Sequence, residues 1–234
     1  MGASDHAATQ AFYGRWARLY DHVATAPGVR SWRRRAVDAL DLSPGDTVVE
    51  MGCGTGANLP FLREAVGPGG RVVGVDLTGG MLAEAGRRVD REDWDNVALV
   101  QADATDPPVA GGVDGLLGSF VCGMFPDPAA VVDGWVDRLS PGGRIALLDA
   151  GPSDRPVAAP LNLAFALFTL ASTPGDALAR VRGGATPPWR SLAARIDAAA
   201  EAVTDRCVER RYETFALGFC SLVSGRRPAT AGGR

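Results

Sequence analysis

The sequence predicts an α/β fold in which a mostly parallel sheet carries helices on both faces. Three observations lead there. From Asp46 onward, short apolar runs alternate with amphipathic stretches, the pattern of repeated strand-helix-strand units. The first apolar run ends in Gly52-Cys53-Gly54-Thr55-Gly56, a glycine-rich turn from a strand into a helix. The second ends in Asp76, about 20 residues past the last of those glycines, the spacing of a ribose-binding acid in a Rossmann-like sheet.

The elements follow in order. Asp5 to His22 and Ser31 to Leu40 place apolar or aromatic residues at helical spacing, with Phe12, Trp16, Leu19 and Tyr20 on one side, so two leading helices are expected. Five parallel strands come next, at Thr47 to Met51, Arg71 to Asp76, Val97 to Gln101, Val113 to Ser119 and Arg144 to Asp149. Each is rich in Val, Leu or Ile and short enough to be buried. Helices are expected at Ala57 to Val66, Gly79 to Val89 and Pro128 to Leu139. Gly67-Pro68-Gly69-Gly70 and Ser140-Pro141-Gly142-Gly143 end helices and return the chain to a strand.

Pro152 to Pro188 is rich in Pro, Gly and Ala around the apolar run Leu161 to Ala171, and reads as an insertion capping the open edge. A helix at Trp189 to Val203 leads to two strand-like runs, about Cys207 to Thr214 and Phe215 to Ser224. The expected organisation is one α/β domain. Residues 1–42 form leading helices that act as a lid, 43–151 the nucleotide-binding core, and 152–190 a cap on the acceptor side. Residues 191–225 supply a final helix and strands, and 226–234 form a disordered tail.

Composition narrows the functional classes. The 234 residues carry a net charge of −3, with no basic footprint of the kind nucleic acid requires, although Arg33-Arg34-Arg35 could touch phosphates. There is no lysine, which excludes a P-loop lysine and Schiff-base chemistry. Cys53, Cys122, Cys207 and Cys220 form no C-x-x-C pair, so reduced thiols and no metal site are expected. The N-terminus lacks a basic region followed by an apolar core, and a cytoplasmic location is expected. Leu161 to Ala171 is too short for the roughly 20 residues that span a bilayer, but suits a membrane surface, a dimer contact or a pocket wall.

The glycine loop alone fits two cofactors. With Ala57 it satisfies the dinucleotide pattern G-x-G-x-x-G/A, and Asp76 could accept the ribose hydroxyls of either a nicotinamide dinucleotide or S-adenosylmethionine. Three further features point to the second. Glu50 stands inside the first strand, where a carboxylate is costly to bury unpaired. A cationic amino acid moiety would answer it; backbone N–H partners are the alternative. Gln101-Ala102-Asp103-Ala104 puts another acid on the same strand edge, where it could meet the exocyclic amine of adenine or cap a helix. Ser119-Phe120 closes the fourth strand, and Leu139 to Arg144 leads into the fifth, both at the edge where open α/β sheets bind ligands.

These motifs together resemble class I S-adenosylmethionine-dependent methyltransferases, and most closely the ubiquinone/menaquinone C-methyltransferase family and its broad relatives. The resemblance covers about Tyr13 to Ala150. It is carried also by Tyr20-Asp21, Arg30-Ser31-Trp32-Arg33, Leu42-Ser43-Pro44-Gly45-Asp46 and Leu139 to Gly143.

The resemblance implies a seven-stranded sheet whose last strand is antiparallel. It also implies that Glu50, Gly52, Gly54, Thr55 and Gly56 hold the methionine part, with Cys53 and Tyr20 beside them. Asp76 would hold the ribose, Leu77 and Met81 the adenine faces, and Asp103 and Ala104 the adenine edge. Ser119 and Phe120 would lie beside the methyl donor. The chain departs from the quinone-methylating pattern at Val121-Cys122-Gly123-Met124-Phe125-Pro126, and after Gly151.

A small acceptor, hydrophobic and quinone- or lipid-like, is expected, with Phe165, Phe168 and Trp189 as its lining. His22, Tyr20 and Asp149 are the candidates for a base. The alternatives are an NAD(P)-dependent oxidoreductase and a non-catalytic regulatory protein that binds S-adenosylmethionine.

Overall fold

The computed structural model describes residues 27–172, 184 and 186–229. The first helix, α1 (Pro27–Asp38), precedes β1 (Thr47–Met51), α2 (Leu59–Val66), β2 (Arg71–Asp76), α3 (Gly79–Arg91), β3 (Val97–Gln101) and β4 (Val113–Ser119). After a short 3-10 turn at Cys122–Met124 come α4 (Pro128–Arg138), β5 (Leu139–Ala150), α5 (Ala159–Ser172), α6 (Pro188–Arg206), β6 (Val208–Phe215) and β7 (Cys220–Arg226). The expected leading helix Asp5 to His22, with Phe12, Trp16, Leu19 and Tyr20 on one side, lies outside the described residues.

The strands form one seven-stranded sheet in the order β3-β2-β1-β4-β5-β7-β6. β1 through β5 pair in parallel, and β7 runs antiparallel to both β5 and β6. The expected class I architecture is therefore present, with the antiparallel strand last in sequence but one in from the edge.

The alternation of side chains along each strand builds two cores. Val48, Leu117, Ala146 and Leu222 face α1, α2 and α3, whereas Val49, Leu116, Ile145 and Val223 face α4 and α6. Trp135 fills the second core, meets Phe125 edge to face at 5.6 Å and donates its indole N–H to the Ala104 carbonyl at 2.8 Å.

Several boundaries differ from the sequence expectation: α1 begins at Pro27 rather than Ser31, and β7 runs Cys220–Arg226 rather than Phe215 to Ser224, so Arg226 belongs to the sheet and not to the expected tail. Two further shifts have a clear local reason. α2 begins at Leu59 rather than Ala57, because the glycine loop continues through Gly56 and Asn58 takes the N-cap position. β5 begins at Leu139, because Ser140-Pro141-Gly142-Gly143 forms an irregularity within the β4–β5 pairing instead of a separate loop: Val113 pairs Leu139 and Gly115 pairs Arg144. α4 starts as its sequence suggests, with Asp127 accepting the Ala130 N–H at 3.1 Å and a proline in the first turn.

Candidate active site

The carboxyl ends of β1, β2 and β4 meet at the middle of the sheet, where the strand order reverses from leftward to rightward progression about β1. β1 ends at Met51 and runs into the glycine loop, which is tied to β2 by the Gly52 and Cys53 N–H groups donating to the Val75 carbonyl at 2.8 and 2.9 Å. Gly56 has φ +76°, and a Cβ there would lie 2.6 Å from Leu59 Cδ1, so only glycine lets the loop close onto α2.

Asp76 is held by this loop. Its Oδ2 accepts the Gly54 N–H at 2.9 Å and its Oδ1 accepts the Thr78 N–H at 2.8 Å, which fixes the carboxylate plane at the end of β2. Burial raises its pKa, against the pull of those N–H groups. Leu77 follows directly, and Met81, 3% exposed, enters from the first turn of α3. Gln101 donates to the Leu77 carbonyl at 3.1 Å, joining the ends of β2 and β3.

Glu50 lies within β1 and is 1% exposed. Asn58 Nδ2 donates to its Oε1 at 2.5 Å and to Ser119 Oγ at 2.8 Å, and Ser119 Oγ is 3.5 Å from the same Glu50 oxygen. Arg33 of α1, also buried, donates from Nη1 to Ser119 Oγ at 3.1 Å. Burial pushes the Glu50 carboxyl up to about 7; Asn58, Arg33 and Ser119 pull it down, and Asp76 pushes it up. Among the described residues, Glu50 Oε2 and Asn58 Oδ1 are buried without a hydrogen-bond partner. The backbone partners that the sequence offered as the alternative for Glu50 are replaced by side chains from α2 and β4.

Phe120 follows Ser119 with φ +56° and its N–H donates to the Leu148 carbonyl at 2.7 Å. Asp103 Oδ1 accepts the Thr105 N–H at 2.9 Å in the turn after β3, where no helix follows for it to cap, and Ala104 is buried. Asp149, at the end of β5, is 4% exposed. Burial lifts its carboxyl to about 6, while the Cys122 thiol and the Cys122 and Val121 N–H groups donate to it and oppose that rise. His22 and Tyr20 lie outside the described residues.

Beside this edge is a cavity of about 670 Å³, in the size range of small-molecule sites. Trp189, Ile196 and Phe219 give it apolar walls, while Arg155, Arg190 and Asp197 add charge. Its rim is built by Ser153: the backbone N–H donates to Asn162 Oδ1 at 2.8 Å and the hydroxyl to the Leu217 carbonyl at 2.6 Å. Ala216 and Leu217 hold positive φ angles of 48° and 61° in the β6–β7 turn. Phe165 meets Phe219 edge to face at 5.1 Å; α5 contains Phe168, whose side chain lies outside the described set.

The sequence missed Asn58 and Arg33 as site residues. Asn58 had a signal, an amide at the helix entry after a glycine loop. Arg33 was marked as the end of the run Arg30-Ser31-Trp32-Arg33 that carries the resemblance, with no role of its own. The phosphate contact open to Arg33-Arg34-Arg35 is answered otherwise: Arg34 pairs Glu64 at 2.7 Å and Arg35 pairs Glu213 at 3.2 Å. Among the described residues no cluster of three or more His, Cys, Asp or Glu could hold a metal ion, and no helix is long and apolar enough to cross a membrane.

Residues 48–143 match the family model described as a methyltransferase domain. The chain is 35% identical over 144 residues to nocamycin O-methyltransferase of Saccharothrix syringae, covering 60% of this chain and 50% of that protein. It is 26% identical over 211 residues to a demethylmenaquinone methyltransferase of Desulfitobacterium hafniense, covering 85% and 80%. A solved S-adenosylmethionine-dependent methyltransferase from Aquifex aeolicus shares the fold with a TM-score of 0.54 at 18% identity, covering 83% and 89%. The chain spans about half or less of the length of the first curated relatives it matches. The matched domain and the names of these relatives agree with the family resemblance read from the sequence, each being that of a methyltransferase.

Proposed function

We propose that this chain, whose residues 48–143 are a methyltransferase domain on a class I fold, transfers a methyl group from S-adenosylmethionine to a small acceptor seated in the cavity beside β5 and β7. The observation that carries the reading is the pair of orphaned buried acceptors, Glu50 Oε2 and Asn58 Oδ1, at the carboxyl end of β1. Leaving such atoms unmet costs about 1–3 kcal/mol each. The α-ammonium of the cofactor's methionine part is a donor of the right charge for both. A nicotinamide dinucleotide presents no ammonium there, so Glu50 favours S-adenosylmethionine.

In this reading Glu50, Gly52, Cys53, Gly54, Thr55 and Gly56 hold the methionine part, and Asp76, oriented by Gly54 and Thr78, accepts the ribose hydroxyls. Leu77 and Met81 cover the adenine, Asp103 and Ala104 border its edge, and Ser119 and Phe120 flank the reacting end. When bound, S-adenosylmethionine supplies an electrophilic methyl group whose C–S bond breaks as the acceptor's electron pair attacks in line, the bonding pair returning to sulfur. The protein's part is alignment and exclusion of water. Asp149, enclosed by Cys122 and Val121, anchors the turn that floors the site.

The acceptor is a ring compound with polar substituents. Trp189 and Phe219 offer apolar faces, and Arg155 and Arg190 offer donors to phenolate, enolate or carboxylate oxygens. The relatives named for nocamycin and demethylmenaquinone support this class. Within the expected cap, Ser153, Arg155 and Trp189 then border the acceptor. Exposed Leu163 and Leu167, one helical turn apart on α5, support contact of that helix with an apolar surface, whether lipid or a second chain.

Incubating the protein with methyl-labelled S-adenosylmethionine and fractionated cell extract tests the activity. Label in an organic-soluble compound of small mass supports the proposal. Label confined to protein or RNA, or none despite cofactor binding, overturns it.

A further inference from the structure

Arg33 is 4% exposed although it sits in a run of arginines on a surface helix. Its neighbours Arg34 and Arg35 are exposed and paired with surface carboxylates. Arg33 turns under α1 instead. Its Nη1 donates to Ser119 Oγ at 3.1 Å, and its guanidinium carbon lies 5.0 Å from the centre of the Phe120 ring. Burying a guanidinium is costly unless hydrogen bonds and an opposite charge answer it.

Ser119 is neutral, but it relays. Its Oγ also accepts from Asn58 Nδ2 at 2.8 Å and stands 3.5 Å from Glu50 Oε1, the oxygen that Asn58 grips at 2.5 Å. A buried cation and a buried anion therefore share two neutral residues between them.

We infer that Arg33 is a positioning residue for the cofactor-binding carboxylate: through Ser119 and Asn58 it fixes Glu50 in place, and its charge keeps Glu50 an anion ready for the cofactor's ammonium. This rests on the reading that Glu50 meets that ammonium. The groups facing Glu50 are Arg33 from α1, Asp76 from β2, the Cys53 thiol from the glycine loop, and the neutral Asn58 and Ser119 from α2 and β4. Among the described residues Arg33 is the one cation in that set. Burial already lifts Glu50 to about 7, so its charge state at neutral pH is finely balanced. The same guanidinium lies against Phe120, held at φ +56°, and so braces the two residues that end β4.

Calorimetric titration with S-adenosylhomocysteine, from about pH 5.5 to about pH 9, tests this in the wild type and in Arg33→Met, Arg33→Lys and Glu50→Gln. The ligand's own ammonium, which stands beside a free carboxylate and so titrates above the roughly 7.7–8.0 of a chain terminus, shapes only the alkaline limb, alike in all of them. Wild-type affinity is expected to fall on the acid side with a midpoint at about 7. Arg33→Met moves that midpoint up by about 1 pH unit or more, because a nearby opposite charge is removed. Arg33→Lys returns it to the wild-type position.

A purely structural role for Arg33 lowers affinity by one factor at every pH and leaves the midpoint still, which would overturn the inference. Glu50→Gln separates the two readings. It should abolish the acid limb, and an acid limb that survives refutes Glu50 as the ammonium's partner. Loss of the limb in Glu50→Gln with an unmoved midpoint in Arg33→Met refutes the role of Arg33 alone. Should Arg33→Met fail to fold, Arg33→Gln keeps a donor toward Ser119 without the charge and makes the same comparison.

Discussion

Asn58 and Glu50 meet across the glycine loop, the amide donating to the carboxylate at 2.5 Å with both side chains buried. Asn58 occupies the N-cap position of α2, yet its side chain makes no capping bond. Its Oδ1 caps no helix N–H, and its Nδ2 donates into the site instead.

Replacing Asn58 with Leu should therefore cost more than a lost cap. Glu50 and Ser119 both lose a buried donor, a destabilisation of about 1–3 kcal/mol. Thermal unfolding of Asn58→Leu should show it, together with at least a tenfold loss of S-adenosylhomocysteine affinity. Asn58→Leu with wild-type binding would separate the amide from the site.

Gly54 and Gly56 should respond differently to alanine. A Cβ at Gly56 meets Leu59 Cδ1 at 2.6 Å and Ala85 Cβ at 3.2 Å, so Gly56→Ala should destabilise the fold itself, by about 2 kcal/mol or more. At Gly54, with φ +54°, nothing stands within 4 Å, and Gly54→Ala should cost only about 1 kcal/mol of stability. Its methyl group faces the crevice, so cofactor affinity should fall further than the melting temperature does. Parallel melting and binding measurements on the two variants give the comparison.

The cofactor-free protein should lose stability as pH rises from acid to neutral. Glu50 and Asp149 have pKa values raised in the fold from 4.5 to about 7 and from 3.8 to about 6. A raised carboxyl stabilises the folded state while protonated. That contribution is complete below the ordinary value and is lost as pH passes through the raised one. Glu50→Gln should therefore melt higher than the wild type at about pH 8, by roughly 2 kcal/mol in stability, and the difference should shrink toward about pH 5. A variant less stable than the wild type at the higher pH would contradict it.

Trp189→Ala should act on the acceptor alone. Trp189 walls a cavity whose lining includes neither Glu50 nor Asp76, so the acceptor KM should rise about tenfold or more while S-adenosylhomocysteine affinity stays unchanged. Steady-state kinetics with the identified acceptor, paired with calorimetry, would show the split.

The core strands were legible because apolar β-strands announce themselves: Thr47–Met51, Arg71–Asp76 and Val113–Ser119 are largely buried runs bounded by turn residues, and Val97–Gln101 keeps the same apolar pattern at the half-buried edge of the sheet. Helix starts were less so. Ala57 and Asn58 favour a helix entry by composition, but the positive φ of Gly56 delays it. Glu50 and Asp76 stood out as acids where an apolar strand or a turn was due. Arg33 did not, since Arg34 and Arg35 carry the same side chain and only the three-dimensional path of α1 sends one of them inward. The cavity was legible in Trp189 but not in Phe219 or Arg155, which reach it through the β6–β7 turn and the loop after β5.

The central claim is that the crevice at Glu50 and Asp76 takes S-adenosylmethionine, and calorimetry of the purified chain against S-adenosylhomocysteine and NAD tests it most directly. The account predicts a single saturable site for S-adenosylhomocysteine, weakened at least tenfold in Glu50→Gln, and no binding of NAD. Saturable binding of NAD, with none of S-adenosylhomocysteine, would contradict it.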